Sequence, residues 1–358
     1  MIKVFLSALA GSVVFTWAAM HVARKLGVLD EPDQRKVHSK PMPLLGGVAI
    51  ATAFSLALLL NFHFSVQLKG VVMASLIVML TGLADDIFGL SASIRLVIQV
   101  ICVAVIVKAG VYLKLFPSVS AAGMLVNTLI TVIWVVGITN AVNFIDGADG
   151  LAAGLAGIAG LAFFLIAYQT GQVYFAFLNV ALVGACLGFL VFNFHPARIF
   201  LGDAGSGFLG FLLASLAVMG DWAYGDPVAA LSIPLLILAV PIFDIVYITG
   251  SRIYFGKVKN LRDWIEYVGK DHLHHRLVHL GFTQRQMVFF IYLVSMVFAL
   301  GALAIKNSPV EQSILLVIQG VIILGLISVL MIAGEGKRAR MGNDDNAQAD
   351  LQDGRKRG

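Results

Sequence analysis

Eleven apolar runs, each close to the length of a membrane-crossing helix, leave this chain few ways to fold in water. They fall at about 3–23, 43–63, 68–84, 94–113, 122–141, 151–169, 174–193, 205–221, 228–250, 287–305 and 312–333. A helix needs about 20 apolar residues to cross the hydrocarbon layer. Composition agrees, since 59% of the 358 residues are hydrophobic and only 13% are charged, against about 25% in soluble domains. The expected fold is an all-α polytopic bundle over residues 1–333, followed by a polar, disordered cytoplasmic tail over 334–358. Cys102 and Cys186 both lie inside apolar runs and read as small buried residues rather than a disulfide or a metal pair.

Orientation follows from the positive charges. Placing the N-terminus outside puts 20 of the 25 Lys and Arg residues on the cytoplasmic side, as the positive-inside rule requires. The formal charge of +5 therefore reflects a basic membrane face and not nucleic-acid binding. The outer loops are then short and chemically plain, and the cytoplasmic turns carry every unusual polar cluster.

The most unusual cluster is 140–151, where Asn140, Asn143, Asp146 and Asp149 stand between two apolar runs. Carboxylates at a bilayer cost several kcal/mol unless they face a wet cavity, a metal or a cationic ligand. A second turn carries the adjacent pair Asp85-Asp86, with Arg95 beyond it. Neighbouring carboxylates repel each other unless a cation or a proton lies between them. A solvated loop is the bland alternative, but the pair directly ends an apolar run.

A third turn, 193–207, contains Asn193, Phe200 and, among glycines, Asp203. Asp203 reads either as a helix cap or as a hard-metal ligand, and Phe200 on its own reads as lipid-facing packing. The first cytoplasmic loop offers Arg35, Lys36, His38 and Lys40, which suit either phosphate or anionic lipid. Its terminal pair Gly46-Gly47 would let backbone approach a ligand closely. The last long loop has an amphipathic stretch over 261–270 and then His272, His274, His275, Arg276 and His279. Without a cysteine or an HExxH pattern, this cluster suits an anionic phosphate better than zinc.

Carboxylates able to gather Mg²⁺, cations able to hold diphosphate and a lipid-facing bundle, all on one side, describe phosphoryl transfer between a soluble nucleotide and a membrane lipid. Taken together, Asp85-Asp86, the 140–151 and 193–207 stretches and His272-Leu273-His274-His275-Arg276 resemble the polyprenyl-phosphate N-acetylhexosamine-1-phosphate transferases of glycosyltransferase family 4. The resemblance covers nearly the whole chain.

It implies transfer of a sugar-1-phosphate from a UDP-sugar to undecaprenyl phosphate in the bacterial inner membrane, with UMP released and Mg²⁺ or Mn²⁺ as cofactor. By position it makes Asp85, Asp86 and Asp203 catalytic, with Asp203 and Asp86 at the metal. It gives Asn140, Asn143, Asp146, Asp149, Asn193 and a stacking Phe200 to the nucleotide. Donor phosphates and sugar fall to His272, His274, His275 and Arg276, and phosphate contact to the basic loop. Arg276 in place of a third histidine resembles the branch that transfers N-acetylglucosamine to start O-antigen, common-antigen or teichoic-acid assembly, rather than the pentapeptide-transferring branch. A homodimer is compatible with the resemblance.

Two other classes remain in view. An ion-coupled transporter also uses intramembrane acids, of which Asp244 is the main one here, yet no repeat between halves is visible. The 146–153 stretch begins like the signature of CDP-alcohol phosphotransferases, but Gly154 stands where that signature needs arginine.

Overall fold

Apolar runs broken by glycine, proline and capping serines dictate a string of helices, and the computed structural model shows one. It describes residues 1–32, 40–60, 65–222, 227–260, 263–264, 269, 271–306 and 308–332. Arg35, Lys36, His38, most of the amphipathic stretch and the C-terminal tail lie outside the described residues.

Helix α1 (Ile2–Leu26) ends at Gly27 in the left-handed conformation. A two-stranded antiparallel ribbon, β1 (Leu29–Asp30) and β2 (Met42–Pro43), closes the base of the first loop. There follow α2 (Gly46–Leu59), α3 (Val66–Phe88), α4 (Ala92–Lys108), α5 (Ala121–Ile145), α6 (Leu151–Gln169), α7 (Val173–Asn193) and α8 (Gly202–Met219). Ser65, Ser91 and Ser120 start α3, α4 and α5 by accepting backbone N–H groups of the first turn, as N-caps do. Next come α9 (Pro227–Ile237) and α10 (Ala239–Tyr254), the short α11 (Leu273–His279), α12 (Gln284–Ile305), opened by a Thr283–Gln286 capping box, and α13 (Val310–Ile332).

The protein is thus a polytopic all-α membrane protein. Among the described residues eight helices are long and apolar enough to cross a bilayer, or nine if the bent α9–α10 pair counts as one span. All eleven apolar runs carry helix, but α2 and α4 have only 14 and 17 residues. The 228–250 run, read as one span, is bent by 80° between α9 and α10. Pro234 and Pro241 flank that break; proline lacks the N–H and crowds the preceding turn, so it interrupts helix except near an N-terminus.

Burial is uneven in a way that locates the core. About three-quarters of α7 and α8 is enclosed, whereas only 17% of α13 is. α8 packs against α3 and α5, and α7 against α1 and α6. Lipid supplies no hydrophobic drive between helices, so close packing of small residues must hold them. Gly47 shows how close: a Cβ placed there would stand 2.1 Å from the Gly205 backbone nitrogen.

Candidate active site

The site is built at the shared end of α3, α4, α5 and α8. Asp86, in the last turn of α3, accepts the Asp203 N–H at 2.9 Å through one oxygen and the Ala204 N–H at 3.1 Å through the other. It therefore caps α8 from a neighbouring helix, meeting donors that would otherwise be orphaned. The same turn is pinned from the first loop: Gly46 N donates to Phe200 O, Gly47 N to Leu201 O, and Phe200 N to Pro43 O. The glycine pair approaches protein backbone at the start of α8, not a ligand as the sequence suggested. Phe200 is half-buried in this joint.

Asp203 projects from that turn with its carboxylate shared among three elements. Asn143 of α5 donates to Oδ1 at 2.8 Å and also to the Ser206 hydroxyl at 2.8 Å. Arg95 of α4 donates to Oδ2 at 3.0 Å, and the same guanidinium nitrogen meets Asp85 at 2.6 Å. Asp85 is further fixed by the Leu90 N–H at 2.6 Å. Arg95 thus bridges the carboxylates of Asp85 and Asp203. Its place beyond the Asp85-Asp86 pair was visible in the sequence, but nothing there assigned it a partner.

Asp146 follows directly on the end of α5. No donor meets its carboxylate among the described residues. Burial, and then the negative charges of Asp203, Asp86 and Asp149, push it well above the usual carboxylate range. Asp149 is differently placed: it accepts from His195 Nδ1 at 2.7 Å and from the Ala197 N–H at 3.1 Å, tying the 146–150 turn to the 194–200 turn. Asn193 adds a second tie, accepting from Gly150 N and donating to Ile199 O. Gly150, at φ +79°, occupies the left-handed region that favours glycine, and Tyr292 donates to its carbonyl at 2.5 Å.

The histidine segment is held by α10. Buried Asp244 faces His272 Nδ1 at 2.8 Å and accepts the Leu273 N–H at 2.7 Å. Two turns on, Arg252 makes a bidentate pair with Asp271 at 2.9 and 2.7 Å. Although burial works the other way, the bonds and charge of Arg252 hold Asp271 below the usual carboxylate range. Arg276 lies 5.1 Å from the Tyr247 ring centroid and donates to Asp271 O. Asp244, read in the sequence mainly as a transporter acid, is thus an anchor for His272.

His274 is buried, with neither ring nitrogen hydrogen-bonded among the described residues, and its ring abuts Gly147. Burial first, then the charges of His275 and His272, push it well below its usual value. It reaches the 146–149 turn as a neutral ring, not as the cation that the composition of the cluster suggested. Lys40 is exposed beside β2.

Asn140, three residues before Asn143 on α5, donates to Gln99 Oε1 and to Val136 O, both at 2.8 Å. Sequence reading missed Gln99 because it sits inside an apolar run of α4 and carries no charge.

The donor set suits a hard cation. Mg²⁺ takes one or two carboxylates and completes its shell with water and substrate phosphate. No group of three His, Cys, Asp or Glu side chains forms a closed metal cage among the described residues. Asp203, partly exposed, and Asp146, without a donor and close enough to feel the Asp203 charge, offer carboxylate oxygen. Asp86 retains lone pairs, but both its oxygens already serve α8.

Comparison with known proteins places the chain in a family. The model of glycosyl transferase family 4 matches residues 68–221, the segment from α3 through α8. The chain is 33% identical over 330 residues to a probable undecaprenyl-phosphate N-acetylglucosaminyl 1-phosphate transferase of Bacillus subtilis (strain 168), covering 90% of both chains. It is 33% identical to a decaprenyl-phosphate N-acetylglucosaminephosphotransferase of Mycobacterium tuberculosis, over 88% of this chain and 85% of that one. A Salmonella typhi undecaprenyl-phosphate alpha-N-acetylglucosaminyl 1-phosphate transferase is 30% identical, over 86% and 84%. Similarity of this extent, covering the helices that carry Asp85, Asp86, Asn143 and Asp203, makes the chain a member of the polyprenyl-phosphate hexosamine-1-phosphate transferases of glycosyl transferase family 4.

Proposed function

We propose that this protein transfers N-acetylglucosamine-1-phosphate from UDP-GlcNAc to a polyprenyl phosphate, undecaprenyl phosphate in the first instance. The products are the lipid diphosphate-sugar and UMP, and the reaction takes place at the cytoplasmic face of a bacterial inner membrane. The observation that carries this reading is the bridge from Asp85 through Arg95 to Asp203, set where four membrane helices end. Relatives over 85–90% of their length are named for N-acetylglucosamine phosphate transfer to such lipids.

An oxygen of the acceptor phosphate attacks the β-phosphorus of the donor. The bond from that phosphorus to the bridging oxygen breaks, and its electron pair leaves with UMP. A phosphate monoester has a second pKa of about 6, so much of the acceptor is already a dianion and needs no strong base. The work left to the protein is positioning and charge compensation. Arg95 holds positive charge between Asp85 and Asp203, and Asn143 fixes the rotamer of Asp203. Arg276, steadied by Tyr247 and the Asp271 carbonyl, supplies a cation to the donor's phosphates, and neutral His274 a ring nitrogen. Phe200 is assigned to the uracil, and Asp146 and Asp149 to the wall of the nucleotide pocket. Asp203 and Asp146, with Asp86 as a further carboxylate, would hold Mg²⁺, which supplies charge screening for the diphosphate when bound. The lipid product would begin a cell-envelope polysaccharide.

The test is transfer by purified protein in detergent with labelled UDP-GlcNAc and undecaprenyl phosphate, with Mg²⁺ present or chelated. Organic-soluble label and UMP should appear together, only with metal, and Asp203→Asn should abolish both while the protein stays folded. Near-normal rates for that variant would remove Asp203 from the reaction. Absence of transfer from every UDP-hexosamine would reject the proposal.

A further inference from the structure

Beside Asp203 a cleft opens between α3, α4, α5 and α8, and its lining draws on those four helices alone. Arg95, Asn143 and Asp203 stand at one end. Gln99 lies one turn beyond Arg95 on α4, and residues i and i+4 share a helix face. Asn140 lies just under one turn before Asn143 on α5. Both amides are therefore deeper in the membrane than the carboxylates.

The orientation of this amide pair is fixed by the protein. Asn140 Nδ2 donates to Val136 O and to Gln99 Oε1, each at 2.8 Å, which uses both of its hydrogens. Reversing the Asn140 amide would set its oxygen against the Val136 carbonyl, oxygen to oxygen. Gln99 must then turn its oxygen to Asn140 and its NH₂ elsewhere. That NH₂ has no partner among the described residues, and it is not enclosed but opens into the cleft that Gln99 lines. A donor so placed is available to an acceptor that enters the cleft.

We infer that Gln99, oriented by Asn140, is a binding residue for the phosphate of the lipid acceptor. Arg95 and the Gln99 amide form a donor pair one helical turn apart, beside Asp203. A ligand that places anionic oxygen between them from the membrane side is a phosphomonoester carried on an apolar chain; Val78 and Ile98 line the same cleft. A nucleotide bound across the 146–149 turn and the histidine segment would not reach this depth. Asn140, which the family resemblance gave to the nucleotide, thereby belongs to the acceptor side. The inference rests on the transferase reading above.

The experiment is initial-rate kinetics of the full chain in detergent, varying undecaprenyl phosphate and UDP-GlcNAc in turn. Gln99→Leu keeps the size and removes the donor. It should raise the KM for undecaprenyl phosphate about tenfold or more, the worth of a hydrogen bond to a charged group, and leave the KM for UDP-GlcNAc within about twofold. Gln99→Glu should be worse on the same substrate alone, because it sets a carboxylate against phosphate. An unchanged lipid KM, or a change confined to UDP-GlcNAc, overturns the inference. Should Gln99→Leu fail to fold, Gln99→Glu decides by the same split. Wild-type protein that transfers nothing indicts the transferase reading; a wild type that transfers, with variants lacking the split, indicts Gln99 alone.

Discussion

Asp86 and Asp203 meet through side chain and backbone: one Asp86 oxygen accepts the Asp203 N–H and the other accepts that of Ala204. The two acids therefore do different work. Asp86→Ala strips the cap from α8 and should cost about 1–2 kcal/mol, read as a lower midpoint of thermal unfolding in detergent, with activity lost. Asp203→Asn should lose activity with the midpoint within a degree or two of wild type. Equal destabilisation of the two variants would contradict this division.

Gly47 offers a steric test of the same joint. Alanine there drives a methyl group into the Gly205 backbone, where a Cβ would stand at 2.1 Å. Overpacking of this kind costs about 1–3 kcal/mol, and here it also displaces the turn that carries Asp203. Gly47→Ala should therefore reduce both unfolding midpoint and turnover. Gly137→Ala, at a position with open space around it, serves as the control and should change neither.

Protonation of His274 gives a pH dependence whose sign can be worked out. Its folded-state value is depressed by burial and by His275 and His272, so the native ring stays neutral where the unfolded ring takes up a proton. The stability due to this site is complete above the unfolded value of about 6.5 and declines as pH falls below it. Thermal midpoints at pH 7.5 and 5.5 should differ less in His274→Leu than in wild type. An equal difference in both proteins would place the pH sensitivity elsewhere.

The Arg252–Asp271 pair should behave as a coupled unit. Removing Arg252 leaves Asp271 without its bidentate partner, and directly bonded residues couple by about 0.5–3 kcal/mol. A double-mutant cycle of Arg252→Ala and Asp271→Ala should show that coupling in stability. Both single variants should raise the KM for UDP-GlcNAc, because Asp271 and Arg276 are joined. Additive effects would mean that the ion pair has no positional role.

How far the sequence could reveal this arrangement depended on the range of the interaction. Apolar runs and capping serines are local signals, and the helices lie where they point, except where Pro234 and Pro241 break one run and where α2 and α4 come out short. The acids Asp85, Asp86, Asp146 and Asp203 stood out because charge beside a bilayer needs an explanation. What charge alone could not show was division of labour. Asp86 as a cap, Asp149 as a tie to His195 and Asp244 as the anchor of His272 are contacts between residues 28 to 117 positions apart, and no local pattern encodes them. Gln99 was invisible for the opposite reason: a single uncharged amide in an apolar run disturbs hydropathy too little to be seen.

The span between Asp86 and the backbone it caps also sets an order of assembly. A growing chain delivers α3, with both of its acids, 117 residues before Asp203 arrives. Until α8 has been inserted, Asp85 has its local Leu90 N–H and Arg95, but Asp86 lacks the N–H groups that it caps. Synthesis that stops short of α8 leaves Asp86 with nothing to cap and Arg95 without its second carboxylate.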